Sequence, residues 1–396
     1  MSYWGEIVGQ PHAVRALQQA AAPGGSPAHA WLITGPPGSG RSNLAFRFAA
    51  ALIARDEAQR DAVHEQVRAR THPDLGVLTT QKLLIDIRAA REIVTTAHYA
   101  PAEGRYRVIV IEDADRMPER TSNVLLKALE EPPERTIWIL CAPSEADLLP
   151  TIRSRARSLR LVTPGVEDIA GLLHERDGID RAAAERAARL AQSHIGMARR
   201  LASDPEALER RERTISIALG VGTLGDAMSA AAALAAVAKA DADALTESLD
   251  AREREDAMRS LGLVPGAAIP PQMRAQMRAL EEDQKRRATR SLRDGIDRIL
   301  TDLLSLYRDV LVTALLEGGD GSGAGGAAAD PASAPGLINR EQSARIAGLA
   351  ESWGPRRALA AVSAVEEARE RLGRGITPGL VLEALFARVL VAEERV

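Results

Sequence analysis

The residues best suited to chemistry form a glycine-rich loop, Gly35-Pro36-Pro37-Gly38-Ser39-Gly40-Arg41-Ser42. An apolar run at residues 30–34 precedes this loop, and a segment with helical character follows it at residues 43–49. Strand, glycine loop and helix is the context of a phosphate-binding loop, where backbone N–H groups and the positive end of the helix bind phosphate oxygens. All eight loop residues are therefore candidate nucleotide-binding positions.

The loop keeps the usual spacing but has Arg41 in the position, between the last glycine and the serine, where the motif has a lysine. A lysine carries a compact charge on a thin stem, whereas the arginine guanidinium is planar, bulky and forked. We expect a loop of this shape to keep its fold and to lose productive nucleotide geometry.

Two adjacent carboxylates, Glu112 and Asp113, follow the apolar run at residues 108–111. In phosphate-loop enzymes, carboxylates at this edge of the sheet hold Mg²⁺ and orient the attacking water. ATPases of this type usually carry Asp-Glu, so here the metal ligand is one methylene too long and the base one too short. We expect ATP and Mg²⁺ to bind, if at all, without productive turnover. A core strand that ends in surface acids is the open alternative.

These groups need elements that bring them together. Strands at residues 30–34, 106–111 and 136–141 alternate with helical segments, which predicts a doubly wound parallel α/β domain over residues 1–162. Residues 163–205 are predicted to form a small helical unit, and residues 206–396 an all-α domain.

Long amphipathic segments are predicted at 273–317 and 341–371, where apolar residues recur at the spacing of a core or subunit interface rather than a cofactor site. The Gly/Ala-rich stretch 318–336 is predicted to be a flexible loop without chemistry.

Composition narrows the class of protein further. The chain has 396 residues, 45% of them apolar, and a net charge of −3, so it is globular and has no global basic field for nucleic acid. A single cysteine, Cys141, excludes an internal disulfide and a thiolate metal cluster, and it is expected to be a core thiol. In the polar stretch 54–75, His64 and His72 are interpreted as solvated surface residues rather than metal ligands. Neither a membrane span nor a signal peptide is predicted, so we expect a cytoplasmic protein.

Several of these stretches together resemble one known family. They are residues 7–10 (IVGQ), 29–32 (HAWL), the glycine loop, 108–117 (VIVIEDADRM), 123–133 (NVLLKALEEPP) and 151–155 (TIRSR). In this combination the chain resembles the bacterial clamp-loader family, the AAA+ proteins of the DNA polymerase III holoenzyme. The resemblance spans most of residues 1–205. It implies a phosphate-loop AAA+ domain, a helical lid and a C-terminal helical collar.

The resemblance also implies roles for two arginines. Arg155, within Ser154-Arg155-Ala156, resembles the arginine finger that reaches into the ATP site of a neighbouring subunit, although the family has cysteine where Ala156 stands. Arg199 resembles the lid arginine called sensor 2. Many relatives carry a four-cysteine zinc module near residues 54–75, which here contain no cysteine. Zinc is therefore not expected.

Two hypotheses follow from different classes of protein. In the first, the chain is a scaffold subunit of a hetero-pentamer, inactive alone, that completes a neighbour's site with Arg155 while the complex loads the sliding clamp onto primed DNA during replication. In the second, the chain is itself an ATP-hydrolysing motor that tolerates Arg41. Arg88 and Arg91 lie on a helix that faces the central chamber in this family. They are either weak contacts to DNA phosphates or simply exposed arginines.

Overall fold

The computed structural model describes residues 3–5, 7–22, 24–36, 38–80, 84–260, 274–317 and 336–391. They form two compact units, Met1–Ser203 and Asp204–Val396. Residues 318–335 of the predicted flexible loop and Pro37 of the glycine loop lie outside the described residues.

A parallel sheet forms the centre of the first unit. Its strands are β1 (Ala30–Thr34), β2 (Leu75–Leu78), β3 (Arg107–Ile111), β4 (Thr136–Ala142) and β5 (Arg157–Arg160). They are arranged in the order β2-β3-β4-β1-β5, and every pairing is parallel. The glycine loop after β1 and the two carboxylates after β3 therefore lie at the same carboxyl edge, with the end of β4 between them.

Helices cover both faces of this sheet, as expected for a doubly wound domain. They are α1 (Pro11–Ala21), α2 (Arg41–Ile53), α3 (Arg60–Arg68), α4 (Ile87–Ala97), α5 (Glu119–Glu130) and α6 (Pro150–Arg153). The strand side chains alternate between two cores: Trp31 and Ile33 pack with α1 and α2, whereas Leu32 packs with α4 and α5. Three more helices complete the unit: α7 (Val166–Asp177), α8 (Arg181–Leu190) and α9 (Ile195–Ser203).

The stretch 54–75 is more buried and more ordered than its polar composition suggests. It holds α3 and the first residue of β2, and His72 is only 5% exposed. The imidazole Nδ1 of His72 accepts a hydrogen bond from the amide of Asp74 at 3.1 Å. The prediction that His72 is a solvated surface residue is therefore wrong, because the chain must bury this turn to enter β2. His64 is half-buried and makes an edge-on contact with the ring of Tyr3, with the ring centroids 5.5 Å apart.

The second unit is helical over its described residues. Its helices are α10 (Pro205–Leu219), α11 (Leu224–Ser260), α12 (Arg274–Glu317), α13 (Ser343–Gly373) and α14 (Pro378–Val391). The apolar positions of α12 that recur at helical spacing lie in the core of this unit, as predicted: Ile296, Ile299, Leu300, Leu303, Tyr307 and Val310 are buried, and Leu311 packs against them. Helix α13 is kinked where Gly354 takes a φ of +64° before Pro355. Among the described helices, none is long and apolar enough to cross a membrane.

Candidate functional site

The glycine loop has the backbone form of a phosphate-binding loop. Gly38 and Gly40 have φ values of +81° and +88°, in the left-handed region that glycine enters without strain. Helix α2 begins directly after them at Arg41. The first N–H groups of a helix have no partner within it, so the start of α2 presents free donors and a partial positive charge to the loop.

Two polar side-chain atoms at this loop are buried without a described hydrogen-bond partner. They are Oγ of Ser39, a residue only 3% exposed, and Nη1 of Arg41. A buried donor without a partner typically costs about 1–3 kcal/mol, so such atoms are uncommon unless a ligand satisfies them. The donors present here fit the phosphate groups of the nucleotide that the family implies.

His194, which directly precedes α9, packs against the same loop. The imidazole of His194 lies so close to Gly38 that a Cβ atom on this glycine would be 2.3 Å from the ring carbon Cγ. The amide of Ile195, the first residue of α9, donates to the Gly38 carbonyl at 3.4 Å. Burial lowers the pKa of His194 below its usual value. The side of Gly38 towards which a side chain would point is therefore already filled by the chain itself.

The two carboxylates after β3 are held by arginines rather than left free. Glu112 pairs with Nη2 of Arg70 at 2.6 Å and is largely buried. Asp113 has a φ of +52°, and Oδ2 lies 3.8 Å from Nε of Arg116. Glu112 would have to leave Arg70, or share it, in order to bind a metal ion.

Asp115 is a third carboxylate at this edge, which the sequence pattern did not single out. One of its oxygens is buried without a described partner. Burial raises the pKa of Asp115 and the charge of Asp113 raises it further, whereas Arg116 and Arg41 oppose the shift. Cys141, in the adjacent β4, is buried as predicted. Burial raises the pKa of its thiol to about 12, so it is unreactive.

Arg155 lies between α6 and β5 and is bound to its own chain. Nη2 contacts Oε1 of Glu130 at 2.5 Å. Nη1 donates to the carbonyl of Thr151 at 2.8 Å and to Oγ of Ser154 at 3.1 Å. The side chain is still 34% exposed.

The other arginines predicted to be functional lie on helix surfaces. Arg199 of α9 is 59% exposed and pairs with Asp177 at 3.2 Å. Arg88 of α4 pairs with Glu92 at 3.9 Å, and Arg91 is exposed. The roles of these residues stay predictions. No group of three or more His, Cys, Asp or Glu side chains that could hold a metal ion occurs among the described residues.

Part of this chain is similar in sequence to known proteins. Residues 9–164 match the family model described as DNA polymerase III, delta subunit. The delta' subunit of Pseudomonas aeruginosa DNA polymerase III is 35% identical over 145 residues, which cover 35% of this chain and 44% of that protein. Over the matched residues, the first unit is therefore similar to the delta' subunits of DNA polymerase III.

Other relatives of this chain are more distant or match over less of their length. The gamma/tau subunit of Mycobacterium tuberculosis is 34% identical over 167 residues, covering 40% of this chain and 29% of that protein. The chain thus spans less than half the length of these two curated relatives. A solved structure of a gamma subunit-related protein from Thermotoga maritima covers 96% of this chain and 98% of its own, with 17% identity and a TM-score of 0.41.

Proposed function

We propose that the chain is a δ′-like subunit of the DNA polymerase III clamp loader, the complex that places the sliding clamp on primed DNA during replication. In this role it hydrolyses no ATP itself and contributes an arginine finger to a neighbouring motor subunit. The family match of the first unit supports the assignment to the complex. The lack of ATP hydrolysis is inferred from the chain's own nucleotide site, and the arginine finger from the surroundings of Arg155.

The state of the chain's own nucleotide site supports the non-hydrolysing role. Arg41 stands where a lysine would reach the β- and γ-phosphates, and a forked guanidinium does not fill that place equally. Glu112, the candidate ligand for Mg²⁺, is bound to Arg70 at 2.6 Å. Each of these features works against the geometry that phosphoryl transfer needs.

The observation that carries the proposal is the presentation of Arg155. Its guanidinium lies between two ordered elements, α6 and β5, and the side chain is still partly exposed. A guanidinium in a fixed position can donate to phosphate oxygens of a neighbour and stabilise the charge that develops in the transition state. The proposed partners are thus the other subunits of a hetero-pentamer and, through them, the sliding clamp. Arg88 and Arg91 would add weak contacts to DNA phosphates that do not depend on sequence.

The test compares Arg155→Ala with Arg157→Ala in the assembled complex. Arg157 is a matched arginine two positions away, whose guanidinium stacks on the ring of Trp31, 4.9 Å from its centroid. Arginine fingers supplied in trans are worth roughly 10³–10⁵ in rate at their own site. We expect a smaller overall loss of DNA- and clamp-stimulated ATPase for Arg155→Ala, because a ring has several sites, and little change for Arg157→Ala. Both complexes should assemble normally. Unmodified clamp loading and ATP turnover by the Arg155→Ala complex would contradict the finger role.

The second candidate, an active motor subunit, is favoured by one observation: the buried donors of Ser39 and Arg41 fit a phosphate. Equilibrium binding of ATP to the isolated chain, followed by phosphate release, separates the two functions. Tight binding with steady turnover would establish the motor. Binding without turnover, or no binding, supports the scaffold.

A further inference from the structure

Two of the sequence motifs meet in space at one ion pair. Glu130 is the last residue of α5, and two prolines follow shortly after it at residues 132 and 133. Its Oε1 lies 2.5 Å from Nη2 of Arg155, in the segment between α6 and β5. The end of α5 is fixed by Ala128 and Leu129, which pack in the core of the first unit, whereas the Glu130 side chain itself is 47% exposed.

We propose that Glu130 is a positioning residue for Arg155, an inference that rests on the finger role proposed above. An arginine guanidinium has five N–H donors in a fixed plane. Here three contacts use it from the chain's own side, namely those to Glu130, to the Thr151 carbonyl and to Ser154 Oγ. At most three donors are occupied by these described contacts, so at least two donors stay available for a phosphate.

The fixed orientation is what makes the remaining donors useful. A free arginine side chain samples many rotamers, and ordering it on a phosphate loses that entropy. Contacts on both terminal nitrogens hold the plane of the guanidinium before any neighbour binds. Less entropy is then lost when the transition state forms, which is the advantage of preorganisation.

Ser154 and Thr151 support the same arrangement from the other side. Oγ of Ser154 donates to the Thr151 carbonyl at 3.1 Å, and the same carbonyl accepts from Arg155. The hydroxyl is therefore oriented so that its oxygen lone pairs can accept from Nη1 of Arg155. Glu130 contributes the charged contact in this set, and its removal is the cleanest way to loosen the guanidinium.

The test places Glu130→Gln in the assembled complex, with Glu131→Gln as the matched control. Glu131 is the next residue along the chain and is exposed. At saturating ATP, DNA and clamp, we expect Glu130→Gln to lower the complex's kcat by less than Arg155→Ala does, and by at most about fivefold, the upper limit for losing an exposed ion pair. The KM for ATP should stay unchanged, because a finger acts on the transition state. Glu131→Gln should match the unmodified complex.

A second background separates positioning from a structural effect. Each substitution is repeated in Arg155→Ala complexes, where a positioning residue has nothing left to position. Glu130→Gln should then have no further effect on kcat. If Glu130→Gln lowers kcat by a similar factor in both backgrounds, or raises kcat in the Arg155→Ala background, the inference is overturned. If Arg155→Ala lowers turnover and Glu130→Gln does not, only the positioning role is wrong. If Arg155→Ala itself has no effect, the proposed function fails first.

Discussion

The imidazole of His194 and the backbone of Gly38 are so close that a methyl group on the glycine would lie 2.3 Å from Cγ of the ring and 2.8 Å from Cα of His194. Gly38 also has a φ of +81°, which residues other than glycine rarely adopt. A larger residue at this position therefore meets two separate costs, one from the backbone and one from His194. The two costs can be measured separately.

Gly38→Ala should destabilise the first unit by more than the left-handed backbone alone requires. That conformation costs roughly 1–2 kcal/mol in an L-residue, and the clash with His194 adds to it. Gly178→Ala is the matched control, because Gly178 has a φ of +68° and no described atom lies within 4 Å of its Cβ position. Free energies of unfolding can be read from hydrogen exchange of the β1 and α2 amides in urea.

The double variant Gly38→Ala/His194→Ala completes this experiment. Removing the ring should recover the part of the loss that comes from the contact with the ring, relative to His194→Ala alone. The part that comes from the left-handed backbone and from Cα of His194, which the substitution keeps, should remain. Equal losses for Gly38→Ala and Gly178→Ala, with no recovery in the double variant, would show that His194 does not contact the loop in solution.

The isolated chain should hydrolyse ATP negligibly. Removing a charge clamp from a transferring phosphoryl group typically lowers the rate at least ~10²-fold, and here Glu112 is also tied to Arg70. Arg41→Lys alone should not restore full activity, because Glu112 and Asp113 keep their inverted order. The triple variant with Glu112→Asp and Asp113→Glu should exceed it. A turnover near ~1 s⁻¹ for the unmodified chain, within the ordinary enzyme range, would contradict the scaffold role.

The sequence predicted the strands that are buried along their whole length and missed those that are not. Strands β1, β3 and β4 each hold an apolar run with one polar residue at one end, and all their residues are buried, as in parallel strands covered on both faces. Strand β5, with the sequence RSLR, lies at the edge of the sheet and buries only Leu159, so it has no apolar signal. Strand β2 has four residues and directly follows a polar stretch.

The candidate site shows the same division between local and distant information. The glycine loop and the carboxylates after β3 are local patterns with known spacing, and the structure brings them to one edge of the sheet. The contacts of His194 with Gly38 and of Glu130 with Arg155 join positions far apart in the chain. No periodicity or motif in a single sequence encodes such pairs.

Asp74 is another residue that the sequence did not single out, and it is the centre of a buried polar network in the stretch 54–75. Its side chain is fully buried and accepts hydrogen bonds from three successive amides, at 2.5 Å from Ala102, 2.8 Å from Glu103 and 2.6 Å from Gly104. Arg107 contacts the same carboxylate at 3.3 Å. Burial alone would raise the pKa of Asp74, but the three amides and Arg107 together outweigh it and lower the pKa below its usual value.

This network gives the first unit a stability that depends on pH. A carboxyl group whose pKa is lower in the folded state contributes stability above its unfolded pKa, roughly 3.9 for aspartate. That contribution is lost as the pH falls through the lower folded value. We therefore expect the first unit to lose stability in acid, below about pH 4. The substitution Asp74→Asn should flatten this dependence.

At neutral pH the same substitution leaves the buried Arg107 without its charged partner. Loss of one member of a buried pair typically costs about 3–5 kcal/mol. Urea unfolding at pH 7, 5 and 3, followed by hydrogen exchange of the β2 and β3 amides, measures both effects. Asp61→Asn, at an exposed position on α3, is the control and should leave the profile unchanged. If Asp74→Asn were as stable as the unmodified chain at pH 7 and retained its acid sensitivity, this carboxylate would not be the charged centre of the network.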